Sequence, residues 1–344
     1  MLYILHVFFV VFFLFFTSQV LGSPAIIDFY KTQALQNSLA LSDISFCLED
    51  FNHKVWSHNI DKKMMPASLT KAYTSYVALN VFGKDLILNT SSYFKENTLY
   101  LVGDDDGYFS SNDLKKILPP IKIKHVIFDS HFFLNGAITP EEIKQQLFRF
   151  LKIKPDAVDL ISTQNLNYYK TYASPPLLSH IKNMNIHSYN RYAFTLFKKI
   201  NNDLGFNEMI WNDFQADASQ VRFMEGSGGE RNYSTCNVTL KMFKALDNKM
   251  HSYGLDLSDV LNIAPINGGT LKNRFIETPY REKVIAKTGT LPDFGVSTIG
   301  GAINTAKGRV YFTIMSQSNK QSIKRMKQFE DLVIKYIIDY FSAK

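Results

Sequence analysis

The pattern of apolar and polar residues predicts alternating helices and strands from residue 26 onward. Residues 26–40 have a helical pattern, Leu41–Leu48 alternates as a strand does, and Val55–Ser57 follows a turn at residues 52–54 as a return strand. Residues 72–79 contain no glycine or proline and predict a helix. The first part of the chain therefore predicts a hairpin that leads into a helix.

A second group of elements occupies the middle of the chain. The apolar runs Leu99–Val102 and His125–Asp129 predict two buried strands, and residues 111–118 between them predict a helix. A strand–helix–strand set of this kind can form a small α/β unit. We therefore predict an inserted small α/β domain at residues 89–171.

The last part of the chain predicts one long helix and three strands. The helical pattern runs from Leu177 to Ile200, and the strands are expected at Val284–Thr290, Val296–Ile303 and Arg309–Met315. A closing amphipathic helix is marked by Ile323, Met326, Phe329, Val333, Ile337 and Phe341. We expect its apolar face to cover the three strands, and contact with a membrane surface is the alternative.

The first 22 residues contain no Asp, Glu, Lys or Arg, and Leu2–Phe16 is almost wholly apolar. This pattern predicts a secretory signal peptide at residues 1–22. The apolar run is short for a membrane span, and an uncleaved anchor is the alternative. In either case the rest of the chain is predicted to be exported, with the main domain formed by residues 23–88 and 172–344.

Composition narrows the classes of partner. The net charge of +7 comes from lysines spread along the chain, and no nucleic-acid motif accompanies them. We therefore expect no nucleic-acid partner, only solubility and mild attraction to anionic envelope polymers. Cys47 and Cys236 form no metal or redox spacing. Two free buried thiols are expected, and one disulfide is the alternative.

The first candidate for chemistry is the S-x-x-K pair at Ser68 and Lys71. On a helix this spacing places both side chains on one face, with Ser68 at the N-terminus, where free N–H groups favour negative charge. An adjacent base can activate a serine hydroxyl. Lys71 can be that base only if its pKa falls from about 10.4 to about 7, which burial and a second cation can achieve. Alone, the pair also fits an ordinary helix start with a solvated lysine.

Two further motifs follow in order, S-x-N at Ser188 and Asn190 and K-T-G at residues 287–289. S-x-x-K with S-D-N and K-T-G is the active-site set of penicillin-binding proteins and class A β-lactamases. Ser188 can relay a proton between Lys71 and a leaving amine. Asn190 can orient a substrate carbonyl and help to hold Lys71.

The K-T-G segment supplies the remaining predicted roles. Lys287 adds a positive charge that keeps Lys71 neutral and attracts a terminal carboxylate. Gly289 lets a substrate backbone lie flat along the strand, and Thr288 and Thr290 are further candidates for substrate binding. The N–H groups of Ser68 and Thr290 form the expected oxyanion hole.

With these motifs, the sequence resembles the D-alanyl-D-alanine carboxypeptidases and endopeptidases of the class C, low-molecular-mass penicillin-binding proteins, from about Leu41 to Gln317. The segments that carry the resemblance are His58-Asn59, Pro66–Lys71, Leu99–Gly103, Val126–Phe132, Ser174–Leu177, Ser188–Ala193, Gly226–Asn232 and Gly268–Arg274.

The resemblance implies an α/β (α+β) protein with a β-lactamase/transpeptidase-like fold, in which an antiparallel sheet is flanked by helices and a helical half carries Ser68 and Ser188. It implies a serine-type D-Ala-D-Ala carboxypeptidase that acts on peptidoglycan stem peptides through an acyl-enzyme on Ser68. It also implies acylation by β-lactams, no metal or organic cofactor, and a place in the periplasm or cell envelope of a bacterium. DD-endopeptidase activity and peripheral membrane association stay open.

Two other functions compete with this one. A β-lactamase of the same fold would need a fast deacylating base, such as the Glu of an E-x-x-L-N loop between S-x-N and K-T-G, and no such loop is found. A non-catalytic envelope-binding protein with this fold would not need the intact motif residues.

Departures from the family pattern concern substrate range. Asp105–Gly107 replaces the usual Gly-Asp-Pro, and Gly228–Arg231 replaces Gly-Leu-Ser-Arg. The resemblance implies that Asp129 contacts the amino end of the substrate's diamino acid, and a structural role at a strand end is the alternative. Residues 104–106 could bind a divalent cation, but we expect them to form a solvated turn that caps the next helix.

Overall fold

The structure is a computed structural model that describes residues 24–203 and 205–342. The predicted signal peptide, residues 1–22, lies outside the described residues. Within the described part of the chain, no helix has the length and apolar character needed to cross a membrane.

Strands and helices follow one another along the whole described chain. The strands are β1 (Ile44–Glu49), β2 (Val55–His58), β3 (Asn89–Lys95), β4 (Thr98–Val102), β5 (His125–Phe128), β6 (Pro155–Ala157), β7 (Asn167–Ala173), β8 (Asn262–Ile263), β9 (Val284–Leu291), β10 (Val296–Thr305) and β11 (Gly308–Gln317). The helices are α1 (Pro24–Gln36), α2 (Thr70–Phe82), α3 (Ser111–Lys116), α4 (Pro140–Leu151), α5 (Leu177–His187), α6 (Asn190–Asp203), α7 (Phe206–Phe214), α8 (Cys236–Ser252) and α9 (Ile323–Ser342).

The main sheet has the order β2-β1-β11-β10-β9-β8, and every neighbouring pair is antiparallel. One face packs against α1 and α9, where Tyr30, Met326 and Phe329 are buried with Phe46 of β1. The apolar face of α9 therefore covers the sheet, as the periodicity predicts. The predicted fold class, an antiparallel sheet flanked by helices, is confirmed.

The other face of the sheet packs against a helical half. Its core joins buried residues of α2, α5, α6, α7 and α8 to Ile285 of β9 and Ala302 of β10. The prediction of one continuous helix from Leu177 to Ile200 is wrong. Ser188 has φ 58° and ψ 42°, a left-handed conformation that ends α5, and α6 begins at Asn190. Because the helix is interrupted at Ser188, its side chain takes an orientation that a residue inside a continuous helix could not adopt.

The insert has its own sheet, in the order β6-β5-β4-β3-β7, with β4, β5 and β6 parallel to one another. Its core contains Leu101 of β4, Phe128 of β5 and Leu147 of α4. The expectation that residues 104–106 cap the next helix is wrong. Ser110 and Asp113 form the capping box of α3.

The insert contacts the helical half at α5 and at the start of α6. The Tyr108 ring stacks on His180 with centroids 4.9 Å apart and lies 4.4 Å from the Tyr192 ring. Arg191 Nη1 donates a hydrogen bond to Gly136 O at 2.5 Å. Because α6 begins at Asn190, these contacts bring the insert beside the S-x-N motif.

Cys47 and Cys236 are both free and buried, which is the preferred expectation. Both belong to one small apolar cluster with Leu240. The two thiols therefore contribute to packing between β1 and α8.

A buried ion pair joins the segment before β9 to the closing helix. Arg274 Nη2 lies 2.9 Å from Glu330 Oε2, and Ser297 Oγ donates to Glu330 Oε1 at 2.6 Å. The Glu330 side chain is fully buried, and its pKa is raised by desolvation, which the Arg274 charge opposes. Removal of the arginine would leave a buried carboxylate without its counter-ion.

Arg274→Ala should therefore destabilise the fold by about 3–5 kcal/mol. The matched control is Arg281→Ala, because Arg281 pairs with Glu282 at 3.5 Å while both side chains are more than half exposed. That control should cost about 0–1 kcal/mol. Urea unfolding of both variants measures the difference, and equal losses would contradict a special role for the buried pair.

Candidate active site

Ser68 lies in a 3₁₀ turn, Ala67–Leu69, that runs directly into α2. The preceding Ala67 has a φ of 48°, a left-handed conformation that a residue with a Cβ rarely adopts. The first N–H groups of a helical segment have no acceptor within it. The turn therefore presents a half-buried hydroxyl beside backbone donors.

Lys71 lies one turn further along, with its side chain fully buried beneath the serine. Its Nζ is 2.8 Å from Ser68 Oγ, 2.7 Å from Asn190 Oδ1 and 2.6 Å from Ser227 O. Burial lowers the pKa of Lys71 to about 7, against an opposing attraction from the Glu225 carboxylate. A substantial fraction of Lys71 is therefore a neutral base at neutral pH.

Ser188 of the helical half and Lys287 of the sheet are in hydrogen-bond contact. Lys287 Nζ donates to Ser188 Oγ at 3.0 Å and to Thr288 O at 2.8 Å. Burial lowers the pKa of Lys287 well below its usual value, and the Lys71 charge lowers it further. The sequence paired Ser188 with Lys71, and the structure places Lys287 beside its hydroxyl.

The K-T-G segment lies on β9, where the strand passes the turn that carries Ser68. A Cβ on Gly289 would lie 2.8 Å from Pro66 O, so glycine is needed for this approach. Thr298 Oγ1 on the neighbouring strand donates to the same Pro66 O at 2.9 Å. These contacts fix the distance between the sheet and Ser68.

The outer edge of β9 has no partner strand beyond Ala286 in the described part of the sheet. The short β8 pairs with Ile285 and Ala286 alone, in the described part of the sheet, so its pairing stops before Lys287. Thr288 Oγ1 donates to Thr270 Oγ1 at 2.8 Å, and Thr290 is half-buried. An extended peptide could add to this edge as a further strand.

A Gly-rich loop at residues 225–232 completes the surroundings of Lys71. The carbonyl oxygen of Ser227 contacts both Lys71 Nζ and, at 3.4 Å, Ser68 Oγ. The sequence predicts no catalytic role for this loop, because every residue has a backbone carbonyl and no residue type marks the one that contacts Lys71.

Asp129 follows β5 in the insert and is almost completely buried. Its Oδ1 accepts hydrogen bonds from the backbone N–H groups of Gly103 at 3.1 Å and His131 at 3.2 Å. It lines a cavity of about 150 Å³ that also contains Lys198. These contacts fit the structural alternative, and a contact with substrate stays a prediction.

A larger cavity of about 330 Å³ adjoins the S-x-N motif. It lies between α6 and the insert and is lined by Tyr108, Asn135, Tyr189, Asn190 and Arg191, among others. Asn190 belongs to both this cavity and the Lys71 site, so part of a substrate could enter here while its scissile bond lies at Ser68.

One cluster among the described residues has the donor atoms for a metal ion, and it lies away from these motifs. It consists of Asp247, His251 and Asp256. Arg309 already donates to both carboxylates, at 2.7 Å and 2.6 Å. Since its charge is balanced by arginine, the cluster does not point to a cation.

Together these groups can perform acyl transfer to a serine. The Ser68 hydroxyl and the Lys71 amine are in hydrogen-bond contact, and two further acceptors, Asn190 Oδ1 and Ser227 O, hold the amine. A second hydroxyl, Ser188, is available for proton transfer to a leaving group.

Comparisons with known proteins agree with this chemistry. The model of the D-Ala-D-Ala carboxypeptidase 3 (S13) family matches residues 33–126 and 162–335. No curated protein sequence matches the chain significantly.

Several solved structures share the fold. A predatory peptidoglycan endopeptidase from Bdellovibrio bacteriovorus is 21% identical over 86% of this chain and 92% of its own, with a TM-score of 0.72, and its penicillin G-acylated form matches at 0.70. Penicillin-binding protein 4 from Haemophilus influenzae is 16% identical, with a TM-score of 0.70, and the match covers 90% of this chain and 99% of its own. A β-lactamase from Chitinophaga pinensis, at 12% identity, covers 92% of this chain and 99% of its own with a TM-score of 0.56.

The lowered pKa of Lys71 predicts how Ser68 reactivity depends on pH. The lysine is a base only when deprotonated, so acylation of Ser68 by a small thioester should rise with pH through a midpoint near 7, the pKa that burial gives Lys71. Rates measured from pH 5 to 9 test this. A rise centred near 10 would show that Lys71 is not shielded from water.

Proposed function

The chain belongs to the D-Ala-D-Ala carboxypeptidase 3 (S13) family, and we propose that Ser68 is the nucleophile with which it cleaves the terminal D-Ala-D-Ala bond of peptidoglycan stem peptides. The family match confirms the resemblance inferred from the motifs and the assignment as a serine-type peptidase. Peptidoglycan lies in the bacterial cell envelope, so the enzyme acts there.

The contact between Lys71 Nζ and Ser68 Oγ, at 2.8 Å, is the observation that supports this proposal most. A lysine with a pKa of about 7 can accept a proton from serine at neutral pH. A solvated lysine in an ordinary helix would remain charged, and its ammonium group could not act as a base.

Acylation begins when the Ser68 hydroxyl proton passes to the lone pair of Lys71. Ser68 Oγ bonds to the carbonyl carbon of the penultimate D-alanine, and the oxyanion receives hydrogen bonds from the N–H groups of Ser68 and Thr290. The C–N bond then breaks, and the proton that Lys71 took from Ser68 passes through Ser188 to the amine of the departing D-alanine, which leaves Lys71 neutral again. Water hydrolyses the ester and restores Ser68.

Lys287, Thr288 and Gly289 bind the substrate in this proposal. The peptide lies along the open edge of β9, with its terminal carboxylate near Lys287. A carboxylate beside Lys287 would favour the charged form of that lysine. Substrate binding would thus place a cation near Lys71 and keep Lys71 neutral for the proton transfer.

β-Lactams are expected to acylate the same serine. The endopeptidase from B. bacteriovorus, which shares the fold, has been obtained in a penicillin G-acylated form. The present chain has Ser68, Lys71, Ser188, Asn190 and Lys287 in one cleft, so a ring-opened penicillin ester on Ser68 is its counterpart. Release of this ester by water should be slow, in contrast to a β-lactamase.

Export to the periplasm is also part of the proposal, supported by the signal-like residues 1–22. Peripheral membrane contact has less support, because the apolar face of α9 is occupied by the sheet. An endopeptidase role on D-Ala-diamino-acid cross-links is kept beside the carboxypeptidase role.

Ser68→Ala tests the nucleophile. The variant should release no D-alanine from pentapeptide muropeptides and should not be labelled by a fluorescent penicillin, because no hydroxyl is left to form the ester. Mass analysis of cross-linked and uncross-linked muropeptides after incubation with the unaltered enzyme separates endopeptidase from carboxypeptidase products. Undiminished labelling of the variant would exclude Ser68.

Lys287→Arg and Lys287→Ala separate charge from geometry. Arginine keeps the cation in a planar fork in place of a compact ammonium, while alanine removes it. If the cation acts mainly through its field, Lys287→Arg should acylate about tenfold or more faster than Lys287→Ala, equal to about 1.4 kcal/mol. Penicillin acylation rates measure this, and equal losses would mean that geometry dominates.

A further inference from the structure

Glu225 is a half-buried carboxylate at the start of the Gly-rich loop. It accepts hydrogen bonds from the backbone N–H groups of Ser227 at 2.7 Å and Gly228 at 2.6 Å, and also from Gly229. Burial acts to raise the pKa of Glu225, but hydrogen bonds from the Ser227 side chain and from these three backbone N–H groups keep it below its usual value. One side chain thus organises three successive residues of the loop.

The loop is also fastened to the helix that carries the nucleophile. Thr74 Oγ1 of α2 donates to Gly226 O at 2.9 Å. Gly228 has a φ of +107°, and a Cβ there would lie 1.9 Å from Ala67 O, so the loop backbone lies directly against the turn of Ser68. The Ser227 carbonyl therefore has little freedom as long as the Glu225 hydrogen bonds hold.

That carbonyl has a defined task at Lys71. A neutral amine has two hydrogens and one lone pair. With Asn190 Oδ1 at 2.7 Å and Ser227 O at 2.6 Å, both hydrogens have an acceptor. The remaining direction is the lone pair, and the remaining neighbour is Ser68 Oγ at 2.8 Å. The two acceptors thereby aim the base at the nucleophile.

We propose that Glu225 is a positioning residue for acylation, because its carboxylate folds the loop that presents the Ser227 carbonyl to Lys71 and so orients the lone pair of the base. The inference rests on the proposed acylation of Ser68. The loop then supplies the Ser227 carbonyl oxygen, the acceptor at Lys71 that does not come from a motif side chain.

Glu225 has a second, electrostatic effect on the same lysine. Glu225 from the loop and Lys287 from β9 both face Lys71. Burial lowers the pKa of Lys71, and the Glu225 carboxylate acts against it. Burial also lowers the pKa of Lys287 itself well below its usual value, and the Lys71 charge lowers it further. Glu225 favours the ammonium form of Lys71, so removal of its charge should lower the pKa of Lys71. A variant without this charge would hold the neutral base to lower pH while aiming it less well.

The test uses Glu225→Gln, Glu225→Asp and the control Glu230→Gln. Glu230 lies in the same loop, is exposed, and is outside the hydrogen bonds described above. Benzylpenicillin acylation rates are measured from pH 4.5 to 9, and the thermal unfolding midpoint shows whether each variant is folded at the temperature used.

For folded Glu225→Gln, the plateau rate should fall about tenfold or more, and the midpoint of the acid limb should move to lower pH. Glu225→Asp keeps the negative charge, so the pH midpoint of its acid limb should stay at the value of the unaltered enzyme. Its plateau acylation rate should fall less than that of Glu225→Gln. Glu230→Gln should match the unaltered enzyme in both. A role in stability alone would change the unfolding midpoint without moving the acid limb.

If folded Glu225→Gln keeps the plateau acylation rate of the unaltered enzyme, or keeps its acid-limb midpoint, the inference is overturned. If Glu225→Gln does not fold, Glu225→Asp decides, since a plateau equal to that of the unaltered enzyme would show that the length of the side chain does not matter. Failure of the unaltered enzyme to react with benzylpenicillin would instead contradict the proposed function.

Discussion

The burial of two lysines beside one cleft is the constraint on which this structure depends. An ammonium group prefers water, so Lys71 and Lys287 are held in place by the packing around them and by nearby acceptors. Lys71 comes from the helical half and Lys287 from the sheet. The two halves must therefore meet closely enough to exclude water, and the glycine at position 289 allows β9 to approach Pro66. Catalytic capacity follows from packing that also stabilises the fold.

The helical half positions both of its serines through local irregularities of the backbone. Ser68 follows Ala67, a residue with a left-handed backbone, and Ser188 itself is left-handed between two helices. Backbone conformations of this kind cost free energy and persist only where the surrounding structure fixes them. Here the packing of the helical core holds these backbone conformations. The insert also holds the start of α6 through the hydrogen bond of Arg191. The insert thus packs beside the S-x-N motif and also lines one side of the cavity next to that motif.

Much of this arrangement was predictable because it depends on spacing. The i,i+3 relation of Ser68 and Lys71 and the apolar strands of the main sheet can be inferred from residue types alone. The break at Ser188 could not, because serine carries no strong signal for a left-handed conformation. The strand β7 could not be predicted either, because it is exposed and lacks alternating apolar residues. The role of the Ser227 carbonyl depends on the folded loop around Glu225, which residue types do not reveal. α8 was missed although Thr235 marks its N-cap.

The central claim is that burial makes Lys71 a neutral base near physiological pH. An NMR titration of the protein with ¹³C-labelled lysine, with the Lys71 Cε signal assigned by comparison with Lys71→Arg, measures its ionisation directly. We expect a titration midpoint of about 7 for this signal, while exposed lysines titrate near 10. A Lys71 midpoint near 10 would contradict the claim and remove the proposed base from the mechanism.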